Sequence, residues 1–102
     1  MNALVEPRLD ADGSERRAIR ELVDFSGKEV LEIGCGNGRV TWCYADSAAS
    51  VLALDPRAKD VEQARQQTPE SLRGHVTFVA ADAAVLEVPV AAFDVVLFSR
   101  SI

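Results

Sequence analysis

Short apolar runs alternate with amphipathic stretches along most of the chain. Runs of about five mostly apolar residues predict strands that are buried on both faces of a sheet. Four such runs are present: Glu29–Ile33, Ser50–Leu54, His75–Val79 and Phe93–Phe98. We therefore expect four core strands.

Amphipathic stretches precede and separate these runs. Ile19, Leu22 and Val23 form one apolar stripe at helical spacing, and Ser14 is suited to cap that helix. The predicted helices span residues 15–25, 39–46 and 56–67. Residues 1–13 show no clear period and are interpreted as a loose lead-in, and residues 82–92 as irregular.

Buried strands that alternate with helices are typical of an α/β domain with a doubly wound parallel sheet. Because crossovers between parallel strands are right-handed, we expect the four strands in the order 3-2-1-4, with helices on both faces. The 102 residues suffice for one small domain, which we predict to span residues 1–102.

A glycine-rich loop, Gly34-Cys35-Gly36-Asn37-Gly38, separates the first strand from the following helix. Glycines let the chain turn sharply and let a ligand approach the backbone. A tight turn without a ligand would use the same residues. The dinucleotide fingerprint G-x-G-x-x-G would need glycine where Arg39 stands, so a nicotinamide-dinucleotide domain is the weaker alternative.

The loop pattern, with Glu32 two residues before its first glycine, resembles motif I of the class I methyltransferases, which have a Rossmann-like fold. Three further matches follow in family order. Asp55 ends the second strand, Asp82 follows the third, and 93–99 resembles the fourth-strand motif.

This resemblance implies that the domain binds S-adenosylmethionine. The loop would hold the amino-acid moiety, Asp55 the ribose hydroxyls, and Asp82 with the Ala83 amide the adenine. The candidate cofactor-binding residues are Glu32, Gly34, Cys35, Gly36, Gly38, Asp55, Pro56, Asp82, Ala83 and Ser99.

Each candidate also has a purely structural interpretation. Asp55 can cap the next helix, Asp82 can cap a loop turn, and Cys35 can fill a small packing space. Asp94 is interpreted as structural, and His75 as a surface or packing histidine. The sequence indicates no catalytic residue.

Two other groups of side chains are assigned to packing or to solvent. Trp42 and Tyr44 are interpreted as packing residues, with a contact from Trp42 to a missing segment as the alternative. Arg16, Arg17 and Arg20 are expected on a solvated helix face.

Composition limits the classes of binding partner that we expect. The net charge of −5 argues against a general nucleic-acid binder, although a segment absent from this chain could still handle a nucleic-acid substrate. The short lengths between the motifs resemble those of the methyltransferases that act on small metabolites, which implies a small-molecule acceptor. No apolar run is long enough for a bilayer, so no membrane partner is expected. Cys35 and Cys43 have no histidine near them, which makes a metal site improbable. A reduced, cytoplasmic chain is the default expectation.

The resemblance covers only the cofactor half of the family fold, because members continue with three more strands. We therefore expect a methyltransferase half that is inactive alone, or alternatively a non-catalytic S-adenosylmethionine-binding module or one half of a split enzyme. The strand Phe93–Phe98 would be left as an open apolar edge. From this we expect a homodimer or a completing partner on that strand.

Overall fold

The computed structural model describes residues 2–4, 14–82, 87 and 89–99. Seven helices and strands carry the fold. In chain order they are β1 (Asn2–Leu4), α1 (Ser14–Leu22), β2 (Glu29–Ile33), β3 (Ser50–Asp55), α2 (Ala58–Gln67), β4 (Val76–Ala80) and β5 (Val95–Phe98). Three short 3₁₀ turns lie at Thr41–Cys43, Glu70–Leu72 and Val90–Ala92.

The sheet confirms the predicted strand order. Its strands follow the order β1-β5-β2-β3-β4, and each neighbouring pair is parallel. Read from the far edge, β4, β3, β2 and β5 are the four predicted strands in the order 3-2-1-4. The central strands are apolar because both of their faces are covered; Val30 and Leu31 are completely buried although they point to opposite faces.

The fifth strand corrects two expectations. Asn2–Leu4 lies within the predicted lead-in of residues 1–13, yet it pairs in parallel with Val96–Phe98. The expected open edge on Phe93–Phe98 is therefore occupied by the chain itself. The strand was missed because three residues are too few to show a period. Its pairing satisfies the main-chain groups of β5, a strand that lies more than 90 residues away in sequence.

The predicted helix over residues 39–46 is also wrong in type. The segment forms a 3₁₀ turn at Thr41–Cys43, flanked by single turns that mix i→i−3 and i→i−4 hydrogen bonds. Val40, Thr41 and Trp42 are β-branched or aromatic, and such residues lose side-chain freedom in a regular helix. Thr41 and Tyr44, three residues apart, eclipse each other in a 3₁₀ turn and reach one acceptor together.

Both described helices pack against the same face of the sheet. Ile19 and Val23 of the α1 region, with Val61 and Ala64 of α2, join one buried cluster with the strand residues on that face. The opposite face carries Leu31, Leu54 and Val96, with Phe93 packed against them. Among the described ranges no helix covers this second face. The expectation of helices on both faces is thus met on one face only within those ranges.

Two smaller expectations change with the helices. Arg16 and Arg20 do not lie on a merely solvated face: their guanidinium groups donate to the carbonyls of Trp42 and Cys43, at 3.1 and 2.9 Å. Pro56 precedes the first turn of α2 instead of lying in it, because the helix begins at Ala58.

The strand register gathers the candidate site at one edge of the sheet. Ile33 is paired with Leu54 on one side and with Phe98 on the other. The residues that follow these strands therefore meet at the carboxyl edge, where open α/β sheets bind their ligands. These residues are the glycine loop, Asp55 and Ser99.

Candidate cofactor site

The glycine loop is anchored to β3 by its main chain. The amides of Gly34 and Cys35 both donate to the carbonyl oxygen of Leu54, at 2.7 and 3.0 Å. Gly36 has a φ of +55°, and Gly38 of +92°, conformations that strongly favour glycine. The loop is thus a fixed turn that presents backbone at the carboxyl edge.

Gly38 is required for a second reason, which is space. A Cβ atom at this position would lie 2.9 Å from the indole of Trp42. That indole also packs edge-on against Phe78 of β4, with ring centroids 5.4 Å apart. Trp42 is therefore a packing residue that closes the space beside the last glycine, as its sequence interpretation had it.

Asp55 connects the loop to the start of α2. Its two carboxylate oxygens accept the amides of Gly36 and Arg57, each at 2.9 Å. The Arg57 contact forms a turn before the helix, but Asp55 is not the predicted helix cap, because the N-cap position of α2 is Arg57. Asp55 is only 2% exposed, so these two hydrogen bonds are shielded from water.

Glu32 is enclosed by hydroxyl groups. Thr41 and Tyr44 donate to its Oε1 atom at 2.7 and 2.5 Å, and Ser99 donates to Oε2 at 2.6 Å. The side chain is completely buried. An ionised carboxylate is an acceptor only, so three hydroxyl donors match it. Glu32 therefore supports the loop from within and presents no exposed atom to a ligand.

Burial sets the electrostatics of this group. Desolvation raises the pKa of Glu32 above its ordinary value of 4.5, and the nearby charge of Asp55 acts in the same direction. The hydrogen bonds from Ser99, Tyr44 and Thr41 lower that pKa and so oppose the effect of burial. The three hydroxyls thus decide how readily a negative charge persists under the loop.

Ser99 joins the end of β5 to the loop. Its hydroxyl lies 2.9 Å from the carbonyl oxygen of Gly34 as well as within reach of Glu32, and its amide donates to Ile33. Ser99 is 2% exposed. In this arrangement it contacts loop and carboxylate, and a direct cofactor contact by Ser99 stays a prediction.

The remaining candidates are spread along the same edge. Cys35 is buried, and burial raises the pKa of its thiol, so the sulfur remains a neutral packing group. Pro56 and Asp82 are exposed, and the Ala81 amide donates to the carbonyl of Asp55. Ala83 lies outside the described residues.

Sequence reasoning missed the part that Thr41 and Tyr44 play. Tyr44 was assigned to packing, and its ring does stack on Phe25 with centroids 4.3 Å apart. Its hydroxyl nevertheless ends on Glu32. The only sequence signal was two hydroxyl residues three apart after a motif that contains an acid, and such a pattern is too common to identify a contact.

The other structural assignments agree with the geometry. Asp94 accepts the amide of Glu29 and donates its own amide to the carbonyl of the same residue, at 2.9 and 2.8 Å. His75 lies with Nε2 3.0 Å from the carbonyl oxygen of Ala45, in a packing position.

The described part of the chain contains neither a metal-binding group of side chains nor a membrane-spanning helix. Within residues 2–4, 14–82, 87 and 89–99, no group of three His, Cys, Asp or Glu side chains is arranged to hold a metal ion. In the same ranges, no helix is long and apolar enough to cross a membrane.

Known proteins share both the sequence pattern and the fold. The family model described as "Methyltransferase domain" matches residues 30–102. Aklanonic acid methyltransferase DauC of Streptomyces sp. (strain C5) is 32% identical over 90 residues, which is 81% of this chain and 41% of that protein.

Solved structures give the same result. An S-adenosylmethionine dependent methyltransferase of Mesorhizobium loti matches with a TM-score of 0.69 at 28% identity, over 89% of this chain and 41% of that one. Phosphoethanolamine N-methyltransferase 1 of Haemonchus contortus was solved with phosphoethanolamine and S-adenosylhomocysteine. It matches with a TM-score of 0.73 at 26% identity, over 88% of this chain and 19% of that one.

The 102 residues thus span less than half the length of these three proteins. The family match nevertheless includes the glycine loop, Asp55 and β5, the parts that build the carboxyl edge. On the sequence match and the shared fold together, the chain belongs to the class I S-adenosylmethionine-dependent methyltransferase family.

Proposed function

We propose that this domain binds S-adenosylmethionine at the carboxyl edge of its sheet and supplies the cofactor half of a methyl-transfer site. The observation that carries the proposal is the junction of the glycine loop with Asp55 in a chain of this family. In this arrangement the loop receives the amino-acid moiety, Asp55 the ribose, and Asp82 with Ala83 the adenine.

The donor and acceptor groups fit such a ligand. A carboxylate accepts hydrogen bonds from two neighbouring ribose hydroxyls, and Asp55 lies at the carboxyl edge, where it also accepts the amides of Gly36 and Arg57. Asp55 is 2% exposed and its Oδ2 atom accepts the Gly36 amide, so we expect a ribose that reaches this carboxylate to displace that amide. Binding should therefore change the exposure of the Gly36 amide.

The bound cofactor supplies a methyl group already activated by a positive sulfur. The domain's own residues have to hold that ligand in one orientation and keep water from it. Loop amides fixed to Leu54, and carboxylates held at fixed positions, serve that purpose. A general base and the acceptor pocket are assigned to no residue of this chain.

Calorimetric titration with S-adenosylhomocysteine tests the assignment. We expect binding to the parent protein, and Asp55→Ala should weaken it by about 10- to 100-fold, the loss expected for hydrogen bonds to a charged group. Glu62→Ala, an exposed change on α2, is the matched control and should leave affinity unchanged. Unchanged affinity in Asp55→Ala would contradict the ribose assignment, and preference for a nicotinamide dinucleotide in competition would contradict the cofactor.

A second candidate function is suggested by the fraction of its relatives' length that the chain covers. The chain spans 41% of DauC, which favours a cofactor module completed by another polypeptide segment or by a partner. We propose that the 102-residue chain alone does not turn over an acceptor, because it encodes one wall of the site. Transfer of labelled methyl to a small acceptor by the purified chain, above trace rate, would refute this.

The acceptor proposed is a small molecule, in agreement with the net charge of −5, and no nucleic-acid or membrane partner is proposed. Cys35 and Cys43 are buried free thiols, as expected for a reducing, cytoplasmic setting. We further propose a homodimer or a completing partner on the β5 side of the sheet, which must add to β1 or displace it. Sedimentation that gives a stable monomer at micromolar concentration would count against association.

A further inference from the structure

The hydroxyl groups around Glu32 come from two separate places in the chain. Thr41 and Tyr44 lie in the segment after the loop, and Ser99 lies at the end of β5. Glu32 itself is two residues before Gly34, at the end of β2. One buried carboxylate thus fixes three segments that meet beneath the loop.

The three hydroxyl donors are divided between the two carboxylate oxygens of Glu32. Thr41 and Tyr44 both donate to Oε1, and Ser99 spans Oε2 and the carbonyl oxygen of Gly34. The described structure leaves no buried side-chain oxygen or nitrogen without a partner. Removing one hydroxyl therefore leaves Glu32 short of a donor in a place that water does not reach.

We propose that Thr41, Tyr44 and Ser99 are positioning residues for the glycine loop, and that they act through the carboxylate of Glu32. The proposal rests on the cofactor function given above, because it states how the binding loop is kept in its binding shape. None of the three hydroxyls needs to touch the cofactor.

The first test is a matched pair at position 41. Thr41→Val keeps the shape of the side chain and removes the hydroxyl, whereas Thr41→Ser keeps the hydroxyl. We expect Thr41→Val to weaken S-adenosylhomocysteine binding by about 3- to 10-fold, the size of one lost buried hydrogen bond, and Thr41→Ser to restore it. Ser47→Ala is the control, since that hydroxyl donates to the carbonyl of Tyr44 and not to Glu32.

The pH dependence of binding distinguishes a role that acts through the Glu32 carboxylate from a role in packing. A packing role would leave the pH dependence unchanged. Protonation of Glu32 places a fourth hydrogen among three donors, so affinity should fall as the pH is lowered through its pKa. Because the Thr41 hydroxyl lowers the Glu32 pKa, the midpoint of that fall should move to higher pH in Thr41→Val. The other titratable groups that interact with Glu32 are Asp55, Tyr44 and Cys35, and all remain in this variant.

A ligand-free measurement separates this proposal from the cofactor assignment. The amides of Gly34 and Cys35 donate to Leu54, so their hydrogen exchange reports the loop itself. We expect faster exchange at both in Thr41→Val, Tyr44→Phe and Ser99→Ala, and unchanged exchange in Ser47→Ala. If exchange and affinity are the same in Thr41→Val as in the parent, the proposal fails. If the parent does not bind S-adenosylhomocysteine, the cofactor function fails, and exchange alone then decides the positioning role.

Discussion

The two sides of the glycine loop are held by different kinds of bond. On the β3 side the partners are mostly main-chain groups: the Leu54 carbonyl accepts two loop amides, and Asp55 accepts the amides of Gly36 and Arg57. On the β5 side the partners are side chains: three hydroxyls, one of them from Ser99 at the end of β5, converge on Glu32.

This difference distinguishes Asp55 from Glu32, two acidic residues that the family resemblance assigns alike to cofactor binding. The amides of Gly36 and Arg57 that donate to Asp55 are main-chain groups, which a side-chain substitution leaves in place, so Asp55 itself is the residue to change on that side. The donors to Glu32 are side chains, and each can be changed one at a time. The loop is therefore fixed on one side and adjustable on the other.

The largest expected effect is on the fixed side. Asp55→Ala leaves the amides of Gly36 and Arg57 without their acceptor, so the free energy of unfolding should fall by about 3 kcal/mol. Asp55→Asn keeps one acceptor oxygen and should lose roughly half as much. Urea unfolding measures both; a loss in Asp55→Ala no greater than in Asp55→Asn would remove the distinction between the two sides.

The next largest loss of stability is expected from a steric change at Gly38, the last glycine of the loop. Gly38→Ala places a Cβ atom 2.9 Å from the Trp42 indole at a φ of +92°. Gly74→Ala has a similar φ of +82° but meets nothing within 4 Å, so it isolates the backbone cost. We expect Gly38→Ala to be less stable than Gly74→Ala by about 1–2 kcal/mol in thermal or urea unfolding. Equal losses would mean that the indole moves away freely.

The next prediction uses pH to test the Glu32 side. Because burial raises the pKa of Glu32 in the folded protein, its contribution to stability is greatest at low pH and declines as the pH rises from about 4.5 through the folded-state pKa. Glu32→Gln has no such titration. The stability of the parent relative to Glu32→Gln should therefore fall as the pH rises above about 4.5. A difference that stays constant, or rises with pH, in urea unfolding would contradict the raised pKa.

The smallest effect concerns the support that α1 gives to the adjustable side. Arg20 donates to the Cys43 carbonyl at 2.9 Å and forms an ion pair with Asp46. It is partly exposed, so Arg20→Ala should cost about 0.5–1 kcal/mol in unfolding free energy. Arg17→Ala, an exposed change on the same helix, should cost less than about 0.5 kcal/mol. Equal effects would show that α1 does not fix the turn.

The sequence was sufficient for the parts of the fold that depend on local pattern. Glu29–Ile33 was predicted to the residue, because a strand buried on both faces has a nearly continuous apolar sequence. The positions of the glycine loop and Asp55 at the carboxyl edge followed from the strand order. The roles of single residues in cofactor binding stay predictions.

What the sequence left unpredicted depends on contacts between distant residues. The 3₁₀ turn at Thr41–Cys43 is favoured by an acceptor nine residues earlier, and the partners of Arg16 and Arg20 lie more than 20 residues away. The three residues of β1 carry no period of their own. In each case the determining partner is remote in sequence, where residue patterns give no information.

The pairing of β1 with β5 has a consequence for the order in which the protein is made and folds. Asn2–Leu4 leaves the ribosome before its partner Val96–Phe98, which is synthesised about 90 residues later. The strand has to wait unpaired while the central strands form, including the local β3-α2-β4 unit. Closing so long a loop costs conformational entropy that only three paired residues repay. We therefore expect β1 to dock last during folding and to open first, ahead of any loss of the central strands.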